Sequence, residues 1–242
     1  MNIPTIQGII KRRVLINYRA EPSVIQTIIP NNFTPKLQKE FAIAGICLIH
    51  LEHIRPKHLP EFIGISSENA AHRIAVEWNE NGKTKQGVFI PRRDTDSLLN
   101  QLAGGRIFPS EHHKATFNIV ENENEIDYTM NSNDGEVSLK FKGISTNNFP
   151  INSIFDSLQE ASEFFEKGSL GYSPNKSKTN LDGIKLQIDN WQVEPLQITS
   201  VESSFYNNQT IFPKGTIEFD HALIMQNIEH EWHLAENFKL CQ

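Results

Sequence analysis

Cysteine is scarce: the 242 residues hold two, Cys47 and Cys241, far apart in the chain. A disulfide framework is therefore not expected, and a reducing cytoplasm is the default compartment. The amino terminus from Met1 to Thr5 lacks the basic start and apolar core of a signal peptide. No apolar run approaches the roughly 18 residues of a membrane-crossing helix, so a membrane protein is not expected. A surplus of positive charge is missing too. The formal net charge of -6 argues against a nucleic-acid partner, because such proteins usually present a basic stripe or domain to phosphates. Internal repeats, low-complexity tracts and a linker between two composition regimes are absent, so residues 1–242 read as one domain.

Several catalytic signatures are missing as well. Gly104-Gly105-Arg106 lacks the spacing and the terminal Lys-Ser/Thr pair of a phosphate loop, and nucleotide binding is not expected. No Gly-x-Ser-x-Gly elbow surrounds Ser110, which leaves a Ser110/His112 hydrolase pair without support. Glu229-His230-Glu231-Trp232-His233 spaces its histidines at i, i+3 rather than i, i+4, and reads as a surface or packed terminal turn rather than a metal site. His112 and His113 are adjacent, so on a strand they point to opposite faces and cannot both hold one ion. No metal or cofactor is expected.

The hydrophobic patterning that is present points to strands. Residues 14–19 read as a strand, and Glu21-Pro22 opens a short helix through Ile29, stopped by Pro30. Phe41 to Ile54 is apolar and β-branched enough for a long buried strand, in which Cys47 reads as a structural thiol. Segments 70–78 and 85–90 flank Asn81-Gly82, the dipeptide of a tight hairpin. Asp94 or Asp96 could cap a short helix reaching Leu102, ended by Gly104-Gly105. Alternation through residues 115–141 predicts an antiparallel meander. Residues 153–167 carry an apolar helical face, and strands return at about 184–193, 196–205 and 216–225. Many strands, few helices and no βαβ rhythm predict an α+β, mainly antiparallel, highly curved sheet or barrel.

Chemistry concentrates between Gly87 and Lys114, which holds Arg92, Arg93, Arg106, Lys114, His112, His113 and paired glycines. Folding alone does not require that combination. Arg92-Arg93 could clamp a carboxylate through bidentate hydrogen bonds, or join Asp94 and Asp96 in a structural network. Glu68 and His72 share one strand face by the period of two, as an acid/base pair over a cavity or as a solvent-facing polar row. Lys11-Arg12-Arg13 reads as a solvated strand end.

Asn17-Tyr18-Arg19, Glu21-Pro22, the strand from Glu68, Asn81-Gly82, Gly87 to Pro91, Asp94 and the run from Leu102 to Pro109 resemble, in that order, the acetoacetate decarboxylase-like superfamily. Segments 44–48, 67–73, 90–95, 168–173, 201–205 and 229–232 are similar to the YqjF-like family of uncharacterised proteins, over nearly the whole chain. The resemblance implies a curved, cone-like β-barrel with flanking helices, often assembled as oligomers, and no established reaction. In the decarboxylases two lysines follow the Phe-Pro turn, and one forms a Schiff base with the substrate ketone. Ser110 and Glu111 stand there in this chain, so that reaction is not carried over. Arg19 and Glu68 match family pocket residues. The expectation is a small carboxylate or oxo-acid held by Arg19, Arg92, Arg93 and Arg106, with Glu68, His72, Glu111 and His112 moving protons in a lyase-like reaction. One alternative is a non-catalytic binding or sensor protein; another keeps Schiff-base chemistry through Lys114.

Overall fold

Alternating buried and exposed side chains drive most of this chain into long strands. The computed structural model describes residues 4–97, 111–175 and 179–240. Its strands are β1 (Ile6–Ala20), β2 (Thr34–Pro35), β3 (Leu37–Gln38), β4 (Phe41–Pro56), β5 (Ile65–Glu80), β6 (Lys83–Thr95), β7 (His113–Glu121), β8 (Glu125–Ser132), β9 (Ser138–Ser145), β10 (Leu170–Pro174), β11 (Asn180–Gln187), β12 (Glu194–Ser203) and β13 (Ile217–Lys239). The described helices are α1 (Pro22–Gln26) and α2 (Leu158–Glu166), with a 3₁₀ turn at Glu61–Ile63. No described helix is long and apolar enough to cross a membrane.

All described strands join one sheet, and every pairing is antiparallel except β6 with β7 and β6 with β10. The main path runs β6-β7-β8-β9-β12-β13-β1-β4-β5, and β5 pairs back onto β6, so the sheet closes into a ring. A second ring returns from β6 through β10 and β11 to β13. The two rings share β13, β1, β4, β5 and β6. This is the mainly antiparallel, self-closing α+β architecture that the patterning and the resemblance imply.

The shared strands are buried on both faces, which is why β4 reads as a continuous apolar run rather than an alternating one. One face packs Val14, Ile16, Ala44, Ile46 and Leu48 against Tyr128 and Phe141. The other packs Leu15, Ile43 and Cys47 against Phe155, Phe164 and Phe165. The Asn81-Gly82 hairpin forms as expected between β5 and β6, with φ of 52° and 76° at its two residues.

Several boundaries differ from the sequence reading. α1 stops at Gln26 instead of Ile29. α2 starts at Leu158 rather than near Ser153, because Ser157 caps it: its side chain accepts from Glu160 N at 3.1 Å, while Glu160 Oε2 accepts from Asp156 N at 2.7 Å. Asp94 and Thr95 continue β6 rather than opening a helix; the rest of that helix, through Leu102 and Gly104-Gly105, lies outside the described residues. The turn expected over residues 229–233 is instead part of the 23-residue strand β13, whose length comes from pairing with β1 and β11. Lys11-Arg12-Arg13 is not a solvated end either. It lies inside β1, where Arg12 is 3% exposed.

Candidate functional site

Period-two alternation sends adjacent basic residues to opposite sides of the shared strands. Arg13 on β1, Arg73 on β5 and Arg93 on β6 line one cavity of about 120 Å³. Cys47 and Ile49 of β4 and Ala71 of β5 form its floor, Ile184, Leu186 and Trp232 cover it, and Asp94 and His112 stand at its wall. In register, Leu15, Cys47, Ala71 and Arg93 make one cross-strand row over β1, β4, β5 and β6.

None of these three guanidinium groups has a carboxylate partner among the described residues. Arg13 Nε donates to Cys47 Sγ at 3.3 Å, Nη1 to Met225 Sδ at 3.8 Å, and its Cζ lies 5.4 Å from the Trp191 ring centre. Arg93 Nε donates to Ser173 Oγ at 3.0 Å. Arg73 donates from Nη2 to Asn17 Oδ1, lies 4.7 Å from the Phe165 ring centre, and leaves Nε without a partner among the described residues. Burial lowers the pKa of Arg73 and Arg93 to about 10, against the opposing influence of Cys47. Both stay cationic at neutral pH. A buried cation without a counter-charge is costly, and an anionic ligand removes that cost.

A chain of hydrogen bonds holds Arg73. Its guanidinium only donates, so Asn17 presents Oδ1 to it and Nδ2 to His221 Nε2 at 3.0 Å. His221 Nδ1 then faces Asp220 Oδ2 at 2.5 Å, and Asp220 Oδ1 meets Arg19 Nη1 at 3.4 Å. Burial alone would raise the Asp220 carboxyl, but hydrogen bonds from His221 and Ser153 outweigh it and hold the group below its ordinary range. Arg19 also binds Glu218 at 2.6 Å and the Asn152 carbonyl at 3.1 Å. It thus anchors the surface end of this chain instead of lining the cavity.

The opposite face of the same strands carries a second polar group. Arg12 Nη2 holds both Glu68 oxygens at 2.8 and 2.9 Å, its Nη1 holds Glu121 at 2.8 Å, and His50 Nδ1 lies 3.0 Å from Glu68. The hydrogen bond to Glu68 leads in raising the His50 pKa. His72 lies on that face too, 1% exposed, with its ring 4.6 Å from Phe205. Burial, helped by Arg92, lowers the His72 pKa to about 3, so its imidazole is neutral.

The sequence-derived candidates therefore separate. Arg93 and His112 share the small cavity. Arg92, Arg93 and Glu111 border a larger one of about 590 Å³, which shares Ile90 and Arg93 with the first. The Arg92 guanidinium is taken up by Asp94, Asp134 and Ser132 at 2.6–3.2 Å. Glu68 and His72 sit across the sheet from Arg73, Arg19 is removed to the rim of its relay, and Arg106 lies outside the described residues. Lys114 lines neither cavity.

Sequence reasoning missed Arg13 and Arg73. The available signal was their odd parity with Cys47, Ile49, Ala71 and Arg93, which becomes legible only once strand register is known. Lys36 was missed too. It lines a small cavity of about 30 Å³ shared with Arg13 and Arg73. Its Nζ donates to the Phe164 carbonyl at 3.4 Å, and burial chiefly lowers its pKa to about 8, helped by Lys167 and opposed by Glu77.

The family model of DUF2071, an uncharacterised conserved protein, matches residues 10–224. The chain belongs to the DUF2071 family. No curated protein matches the sequence significantly. The fold of this DUF2071 chain is similar to that of acetoacetate decarboxylase from Legionella pneumophila subsp. pneumophila str. Philadelphia 1, with a TM-score of 0.62 and 12% identity over 100% of this chain and 90% of that one. An acetoacetate decarboxylase-like enzyme from Sphingomonas wittichii RW1 gives 0.61 and 10% identity over 100% and 94%. The enduracididine biosynthesis enzyme MppR, complexed with pyruvate, gives 0.56 and 10% identity over 100% and 91%. At these identities the likeness of the DUF2071 chain to all three is one of fold.

Proposed function

We propose that this protein binds a small carboxylate or oxo-acid in the cavity lined by Arg13, Arg73 and Arg93. The observation that carries the reading is three arginines lining a cavity of about 120 Å³, none with a carboxylate partner among the described residues. That volume is close to an apolar cavity of about 150 Å³ that accommodates benzene, so the ligand has only a handful of heavy atoms. Ile49, Leu51, Ile184 and Leu186 suit a short carbon skeleton, while the arginines suit the acid group.

His112 on the cavity wall is the group that would move protons, because the Asp94 carboxylate is already held by Arg92. Acid/base lyase chemistry on an oxo-acid is the enzymatic form of the proposal, and binding without turnover is its sensor form. The pyruvate complex of the structural relative MppR supports the ligand class by analogy.

Calorimetry with pyruvate, acetoacetate and their methyl esters tests the reading. A free acid should bind and its ester should not, and Arg93→Gln should weaken binding by about tenfold or more, the worth of one charge-assisted hydrogen bond. Equal binding of acid and ester, or none of either, would reject the anion site. Product formation by the wild type separates enzyme from sensor.

A further inference from the structure

We propose that Cys47 is a nucleophile for anionic carbonyl compounds: its thiol adds to the carbonyl carbon of a small oxo-acid whose carboxylate the cavity arginines hold. The inference rests on the reading of the cavity as an anion site and assigns the covalent step within it.

Cys47 is a free thiol on the cavity floor, with Sγ 3.3 Å from Arg13 Nε. Ala71 alone separates it from Arg93 in the cross-strand row. Two strand spacings put their backbones about 10 Å apart, and a methyl side chain between them leaves the space above the sheet open. A carboxylate on Arg93 then directs a neighbouring carbonyl carbon back toward the sulfur. A second feature of this space is Arg73, 5% exposed and lining the same cavity: Asn17 holds its Nη2, and its buried Nε has no partner among the described residues.

The step balances without a co-reactant. The sulfur lone pair forms the S–C bond as the carbonyl π bond opens onto oxygen, and the thiol proton ends on that oxygen, giving a thiohemiketal. Nothing is oxidised, reduced or expelled, and the addition reverses by the same path. Negative charge develops on the carbonyl oxygen as the S–C bond forms, beside guanidinium groups that stabilise it until the thiol proton reaches it.

Two measurements on the full-length protein test this. First, alkylation of Cys47 by iodoacetate and by iodoacetamide is followed by peptide mass mapping. Iodoacetate should be favoured about tenfold relative to the same pair reacting with glutathione, the lower end of what a cleft of one charge sign gives an anion. A Cys47 that shows no such preference, or that stays unlabelled while the unfolded chain labels, overturns the proposal. Second, pyruvate carrying carbon-13 at its ketone carbon should show a tetrahedral carbon resonance, separate from that of its free hydrate, with wild type that is lost in a folded Cys47→Ser protein. If pyruvate binds but its ketone carbon stays trigonal, or if borohydride fixes it to Lys36, the thiol step fails and the anion site stands. If no free acid binds, both fail.

Discussion

At the scale of single residues, neighbours one position apart have unrelated roles. Arg12 is neutralised by Glu68 and Glu121, whereas Arg13 faces the cavity. Arg92 is bound by Asp94 and Asp134, whereas Arg93 meets, among the described residues, a serine hydroxyl. The Arg92-Arg93 doublet was legible as an anion clamp or an aspartate network, and the structure divides it: Arg92 joins the aspartates, and Arg93 has no carboxylate partner among the described residues. His72 makes the residue scale measurable. Its folded pKa of about 3 lies below the unfolded value of about 6.5, so below pH 6.5 the unfolded chain takes a proton that the folded chain refuses. Stability should fall as pH drops from about 6.5 toward 3, and His72 alone contributes about 1 kcal/mol per pH unit over the middle of that window. Urea unfolding of wild type and His72→Gln between pH 4 and 7 checks it. The variant should show the shallower slope, and parallel slopes would mean that this imidazole is not buried neutral.

Elements were legible to the extent that local chemistry specifies them. Asn81-Gly82 names its own turn, and the β7–β9 meander follows from alternation and Asp134-Gly135, where Gly135 has φ of 75°. The strand β10 escaped notice because it is short and holds its place through parallel pairing with β6, which leaves no local signal. The terminal strand β13 was truncated for a related reason: beyond Met225 its charged residues break the apolar pattern, yet β1 and β11 supply the hydrogen bonds. Contact between elements also sets the site. At Gly45 a Cβ would collide with the Ile16 carbonyl and press on Asn17 Oδ1 at 3.2 Å, the atom that holds Arg73. Gly45→Ala should cost about 2 kcal/mol, the usual scale of overpacking. It should also weaken free-acid binding, read by denaturant titration and calorimetry on the same protein. Unchanged binding would disconnect the Asn17 relay from the cavity.

For the whole molecule, the decisive feature is the set of strands shared by two rings. β1 pairs with β4 on one side and with β13 on the other, joining the two ends of the chain. Neither ring closes without those strands, so heat unfolding is expected as one cooperative transition, with calorimetric and van't Hoff enthalpies in agreement. Two resolved transitions would mean that the β7–β9 side and the β10–β11 side melt as separate units. The same sharing accounts for the cavity. Arginines of β1, β5 and β6 come together at a cavity that residues of β10 and β11 also line, inside a protein whose net charge is -6.

The amino-acid sequence by itself determined the strand-rich class, the hairpin turns, the absence of common catalytic signatures, and the kinship carried by motifs from Asn17 to Trp232. Those properties depend on spacing, turn chemistry and residue type, all of which are local. Only the tertiary structure decided which arginines lack a carboxylate partner among the described residues. That depends on pairing register between strands distant in sequence, since a shift of one residue exchanges the two faces of a strand. Arg13, Arg73 and Arg93 share a cavity with Cys47 because four strands align in one register, and Glu68 lies across the sheet from them for the same reason.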